Sequence, residues 1–131
     1  MIRFALVACL AALAAVAAVP ALASDLVLRD VLQEQPLSDA PDMKVVIARV
    51  TVKPGGAVSE HMHPGDEHVV VLQGGTVLLT DGQQAEYADG DVLFFSAGEM
   101  HGGLRNIGGS EIVLLTTHVV NVLEPFRWPA E

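Results

Sequence analysis

From Lys44 to Val120 the chain is a succession of short apolar and β-branched runs, each cut by glycine, aspartate or asparagine. That pattern excludes a helical bundle. The run KVVIARVTV alternates, with Val46, Ala48, Val50 and Val52 on one face and Arg49, Thr51 and Lys53 on the other, as a half-buried strand requires. Further runs (AVSEHMH, EHVVVLQ, TVLLT, AEY, DVLFFS, HGGLRN, EIVLLTTHVV) are separated by turn signals such as Gly74-Gly75, Asp81-Gly82, Ala88-Asp89-Gly90 and Ile107-Gly108-Gly109. No segment after Lys44 carries a helical period. The expectation is an all-β protein, an antiparallel sandwich or barrel over residues 44–120.

The flanks read differently. Residues 1–23 place Arg3 before a long Ala/Leu/Val run, then Pro20 and the small residues Ala21 and Ala23, which is the pattern of a secretory signal peptide cut after Ala23. An exported chain, periplasmic or extracellular after cleavage, is expected, with no membrane attachment in the mature form. Removing the leader takes away Arg3 and Cys9, leaving six Lys/Arg against sixteen Asp/Glu, a net charge of −10. Such a surface argues against nucleic acid as a partner. With no cysteine left, disulfides and thiolate ligands are excluded, so any metal site must use nitrogen and oxygen. Residues 24–43 form an N-terminal extension whose apolar stretch has no clear type, ending in a Pro/Ser/Asp loop. Residues 121–131 form a tail whose Phe126 and Trp128 can cover the barrel mouth, pack on a neighbouring subunit or close the core.

Residues 61–68, HMHPGDEH, bring together three of the five histidines. On a strand, side chains at i and i+2 face the same way, so His61 and His63 share one side while Glu60 and Met62 face the other. Beyond the Pro64-Gly65-Asp66 turn, Glu67 shares a face with Val69 and Val71, and His68 points away. If Glu67 joins the two histidines, those valines line the same cavity and Asp66 stays in the turn. Three neutral imidazoles and one carboxylate around a divalent cation would leave a charge near +1 and open positions for water or substrate oxygen. A fourth ligand must come from His101 or His118. His101 follows a turn that can aim it inward, whereas His118 differs in parity from Val113, Leu115, Thr117 and Val119, so it stands either at the surface or behind the ligands, and the surface is expected.

These residues carry a resemblance. Gly55, His61, His63, Glu67 and Gly74 stand at the spacing of the first motif of the cupin family, and Gly98 and His101 at the spacing of its second. The resemblance covers roughly Lys44 to Val120. It implies a single antiparallel β-barrel of jelly-roll type with His61, His63, Glu67 and His101 holding one divalent transition metal ion (Fe, Mn, Zn, Ni or Cu). Two positions depart from the pattern: Ser96 stands where the second motif has proline, and Arg105 stands in the usual asparagine slot, with Asn106 one residue late. Cupins often pair through their sheets, so a homodimer is expected from the same resemblance.

The family hosts many chemistries, so fold does not fix function. The leading expectation is a metal-dependent enzyme, oxygenase-like, acting on a small organic molecule, with Glu67 able to act as a base and Arg105 able to clamp a substrate carboxylate. The alternative for Arg105 is a strand-end arginine reaching solvent or Glu111. Glu99 and Tyr87 are the other acid/base candidates, each beside a turn. The competing function is a non-catalytic metal- or ligand-binding cupin, a sensor or carrier, motivated by the lack of an evident acid/base partner.

Overall fold

The computed structural model describes residues 26–130; the leader pattern and its cleavage position lie outside them. Eleven strands follow one another: β1 (Val27–Pro36), β2 (Met43–Val52), β3 (Ala57–Val58), β4 (His61–Met62), β5 (Asp66–Gln73), β6 (Gly75–Leu79), β7 (Gln84–Tyr87), β8 (Val92–Phe95), β9 (Leu104–Asn106), β10 (Ile112–Asn121) and β11 (Trp128–Pro129). They make a five-stranded sheet ordered β1-β2-β10-β5-β8, a four-stranded sheet ordered β3-β9-β6-β7, and the small pair β11-β4. Every pairing is antiparallel. The all-β expectation holds. Among the described residues the strands form separate sheets rather than one closed ladder, so the expected single barrel is seen as facing sheets around a cavity.

The ambiguous stretch before Lys44 is a strand. β1 runs antiparallel to β2 from Val27 opposite Val52 to Pro36 opposite Lys44, with a bulge between Val31 and Gln33. It sits at the sheet edge, where one row of its backbone groups stays unpaired, and its side chains are largely exposed. Only Pro36 closes it from the sequence side, which is why its period was weak.

In the large sheet one phase faces inward: Val46, Ala48 and Val52 on β2, Glu67, Val69 and Val71 on β5, and Ile112, Thr116, His118 and Val120 on β10 are all buried. Val52, Val77 and Ile112 form the centre of the core, with Val50, Val58, Leu79, Leu104 and Leu114 packed against them. Burying each such side chain contributes about 1.5–3 kcal/mol. The opposite face is also apolar, carrying Val45, Ile47, Val70, Leu72, Val113 and Leu115, of which Leu72 is 46% exposed. Two apolar faces on one strand blur the alternation that identifies the inner side.

Asn106 ties the two sheets at the core's end. Its Nδ2 donates to Val52 O at 2.9 Å and Ser110 O at 2.8 Å, while its Oδ1 accepts from Gly108 N at 2.9 Å. The asparagine that stands one residue late in the second motif is thus the buried one, and the preceding Arg105 faces out.

Candidate metal centre

Each histidine of the cluster is positioned by backbone. His61 on β4 forms an isolated bridge with His101, the two exchanging N–H···O bonds of 2.9 Å. The turn before His101 is held by Ser96 and Glu99: Ser96 N and Oγ donate to Glu99 Oε2 at 2.9 and 3.0 Å, and Glu99 N donates to Ser96 O at 2.9 Å. Serine therefore closes this turn through its side chain where the family pattern would use proline. Those hydrogen bonds hold the exposed Glu99 carboxyl below its usual range. Gly98, at φ +75°, donates to His63 O at 2.9 Å and so links that turn to the first motif. Gly102, at φ +82°, lets the chain pass under His61: a Cβ there would lie 2.6 Å from Ser59 O and 2.9 Å from His61 Nδ1.

The ring nitrogens facing the backbone are all engaged. His61 Nδ1 contacts Ser59 O at 2.8 Å, His63 Nδ1 contacts Phe126 O at 2.6 Å, and His101 Nδ1 contacts Glu99 O at 2.9 Å. A carbonyl only accepts, so each Nδ1 must carry the proton, and in the neutral ring each Nε2 presents a lone pair. One ligand atom from each of His61, His63, Glu67 and His101 falls within a span of 4.8 Å. Glu67 is only 6% exposed, and its Oε2 lies 2.7 Å from His101 Nε2. That contact is misaligned for a hydrogen bond, and both atoms are left buried without a hydrogen-bond partner. Lone pairs converging on one buried point repel unless a cation or proton sits between them. Fixed Nδ1–H groups behind three imidazoles, with a carboxylate beside them, fit a divalent metal ion bound through nitrogen and oxygen.

His118 is the residue that sequence parity misplaced. It is 2% exposed, opposite Glu67 on the neighbouring strand, with its Nε2 3.3 Å from Glu67 Oε1 and its Nδ1 buried without a partner. Even-numbered positions of β10 face inward; the odd-numbered apolar residues that suggested otherwise line the outer face. Position 118 was therefore assigned to the wrong side. Phe126 from the tail closes over the cluster, its ring centroid 4.9 Å from His63 and 4.7 Å from His118, while Trp128 pairs with Met62.

Arg105 is not brought to the cavity. Gly102 and Gly103 both adopt positive φ, so the extended parity from His101 is broken before β9 begins, and Arg105 Nη1 donates to Gly55 O at 2.9 Å on the outer side. Of the readings offered for Arg105, the strand-end arginine reaching solvent is the one seen; it neither lines the cavity nor pairs with Glu111. His68 stacks on Phe94 across the outer face, and Asp66 Oδ1 accepts from Ala97 N at 3.1 Å, so both stand apart from the cluster as expected. The cavity itself has a volume of about 650 Å³, with the cluster at its base and Tyr87, Leu93, Leu104 and Leu114 among its walls. Glu99 is not among the lining residues.

Burial drives the His63 imidazole down to about 4 and also lowers His61. Burial opposes the charge on Glu67, but the His101 and His118 imidazoles beside it hold its carboxyl well below the usual range. For His101 burial is outweighed by Glu67 and by the Glu99 carbonyl, and its pKa rises. In the metal-free protein the lowered His63 contributes stability at neutral pH that is lost as pH falls from 6.5 towards 4, because the unfolded chain takes up its proton first. The raised His101 acts oppositely, its contribution being present below 6.5 and lost as pH rises through its folded pKa. With His61 on the side of His63, the Tm of the metal-free protein is expected to fall across pH 6.5 to 4, the lowered Glu67 adding its own loss only below about pH 4.5; a Tm that rises from pH 6.5 to 4 would show His101 dominating.

Comparison with known proteins agrees with this geometry. An (R)-mandelonitrile lyase from Granulicella tundricola is 40% identical over 68 residues, which are 50% of this chain and 52% of that enzyme. The chain thus spans about half the length of this curated relative. A cupin superfamily protein from Desulfitobacterium hafniense superposes with a TM-score of 0.55 at 26% identity, over 76% of this chain and 88% of that one. The DMSP lyase DddQ from Ruegeria pomeroyi superposes with a TM-score of 0.59 at 18% identity, over 82% of this chain and 53% of the other. A cupin domain is matched over residues 48–118, more than half of the sequence and all four members of the cluster, and the chain belongs to the cupin family.

Proposed function

We propose that this cupin is an exported, metal-dependent enzyme acting on a small organic molecule, with His61, His63, Glu67 and His101 as the ligands of one divalent ion. The observation that carries the reading is the set of three imidazoles whose Nδ1 protons are fixed on carbonyls, so that three Nε2 lone pairs and a carboxylate meet at one buried point. A bound ion supplies Lewis acidity, polarising a substrate oxygen at the base of the cavity.

The chain's own residues supply the rest. The apolar walls exclude water and hold the substrate body, and Phe126 covers the cluster. His118 answers the absence of an acid/base partner that favoured a passive binder. Its Nε2 stands 3.3 Å from Glu67 Oε1 and its Nδ1 is buried without a partner, so the imidazole is the acid/base group of this proposal, taking a proton from a substrate hydroxyl and returning it to a leaving group once the side chains covering Nδ1 give way to substrate. Glu67 is then an orienting group and ligand rather than the base. Cleavage next to a hydroxyl-bearing carbon is the reaction type these groups support best, and the resemblance to a mandelonitrile lyase points the same way. Oxygenation, the expectation from the family alone, has no residue of the cavity that favours it over proton transfer.

The test is turnover by the metal-loaded protein on a panel of 2-hydroxynitriles and 2-hydroxy acids, following carbonyl product and dioxygen uptake together. Carbonyl release without oxygen uptake, lost in His118→Ala while metal is retained, is the expected result. Oxygen uptake would establish an oxygenase, and neither signal from a fully loaded protein would leave a metal-binding sensor or carrier. Export is part of the proposal, resting on the leader pattern of residues 1–23. A mature N-terminus at Ser24, read by mass spectrometry, is expected; an intact Met1 on the exported protein would contradict it.

A further inference from the structure

Beside the cluster, the cavity contains a cation to which the proposed chemistry gives no part. Arg29 lies on β1 opposite Val50 in register, and both residues line the cavity. Its guanidinium carbon stands 4.4 Å over the centre of the Phe126 ring, the same ring that packs on His63 and His118. Among the described residues no ion pair within 4 Å engages this guanidinium, and no side-chain hydrogen bond does so. Arg127, also on the cavity wall, is committed to Ser59, donating to its carbonyl at 3.2 Å and its Oγ at 2.9 Å. Arg29 is therefore the cavity arginine with donors to spare.

An arginine without an ion-pair partner on the wall of a largely apolar cavity is unfavourable to desolvate unless an anion completes it. The cation–π contact with Phe126 holds the guanidinium beside the cluster, and an arginine can meet a carboxylate with two donors at once. We propose that Arg29 binds the carboxylate of the substrate, which is a small organic acid whose apolar body lies among Val50, Leu93, Leu104 and Leu114. The inference rests on the proposed function, since it places the hydroxyl of that molecule, on the carbon next to the carboxylate, at the metal cluster. It also gives Arg29 the carboxylate-binding role that sequence alone had offered to Arg105.

Mandelate and its neutral counterpart mandelamide are suitable probes, because they share a ring and a hydroxyl and differ in the charge that Arg29 would read. Calorimetric titration of each into the metal-loaded wild type, Arg29→Gln and Arg29→Lys, with metal content measured on every sample, is the experiment. Mandelate should bind the wild type more tightly than mandelamide, and lose roughly tenfold or more in affinity in Arg29→Gln with metal retained. Arg29→Lys should fall between the two, keeping the charge without the fork. Equal affinities for mandelate and mandelamide in the wild type, no binding of mandelate, or an unchanged affinity in Arg29→Gln would each overturn the proposal. Metal absent from every sample, with Arg29-dependent mandelate binding intact, would overturn the metal-dependent function and keep the anion site.

Discussion

Replacing Glu67 by alanine is expected to lower metal affinity by more than the roughly 10–100-fold typical of losing an outer-shell partner. Glu67 is the one carboxylate in the cluster, buried, with histidine nitrogens at 2.7, 3.3 and 3.5 Å from its two oxygens. Without it a divalent ion would keep its full charge inside an apolar cavity, held by neutral imidazoles alone. His118 would also lose the acceptor for its Nε2 and have both ring nitrogens unpartnered. Glu67→Gln retains the shape and one oxygen ligand but not the charge, so it should bind metal with intermediate affinity. Competition against a chromophoric chelator measures both. Equal affinity for wild type and Glu67→Ala would remove the carboxylate from the site.

A second large effect is expected from a residue with no side chain. Gly65 lies in the turn between His63 and Glu67, and a Cβ built there would overlap the carbonyl of Val119, with Val120 Cα only 3.0 Å away. Both atoms belong to β10, which is hydrogen-bonded to β2 and β5 on its two sides and cannot withdraw. Gly65→Ala should therefore destabilise the protein by about 3 kcal/mol or more, at the upper end of what overpacking costs. Because the same turn sets His63 against Glu67, metal content should fall with stability. Chemical denaturation and elemental analysis of the variant check the two parts. A variant as stable as the wild type would mean that the β10 backbone accommodates what its pairing forbids.

Much of this was legible in the sequence. The i, i+2 spacing put His61 and His63 on one face, and counting on from the Pro64-Gly65 turn put Glu67 with them and His68 outside, which the burial of the first three and the outward stacking of His68 reproduce. Parity worked there because the turn is short and the strands beyond it are regular. It did not carry as far as Arg105, because two glycines at positive φ separate that residue from His101, and the strand-end arginine reaching solvent is what the fold presents. It failed at His118 for another reason: β10 is apolar on both faces, so no pattern says which side is inside. A strand pairing would have settled it, since Glu67 and His118 are direct neighbours across β5 and β10. That Phe126 could cover the cavity was among the readings of the tail, but its meeting with Arg29 was out of reach of local reading, because the two come from the two ends of the chain and meet only in the folded cavity.

The central claim is that the cluster in the cavity holds a metal ion, and its most direct test is the metal content of the protein isolated from its native host, alongside His61→Ala and His68→Ala. His61 is buried in the cluster with its Nδ1 fixed on Ser59 O, whereas His68 lies on the outer face against Phe94. Near-stoichiometric metal in the wild type and in His68→Ala, and its loss in His61→Ala, is the predicted result. Metal missing from all three, or lost equally from both variants, would contradict it.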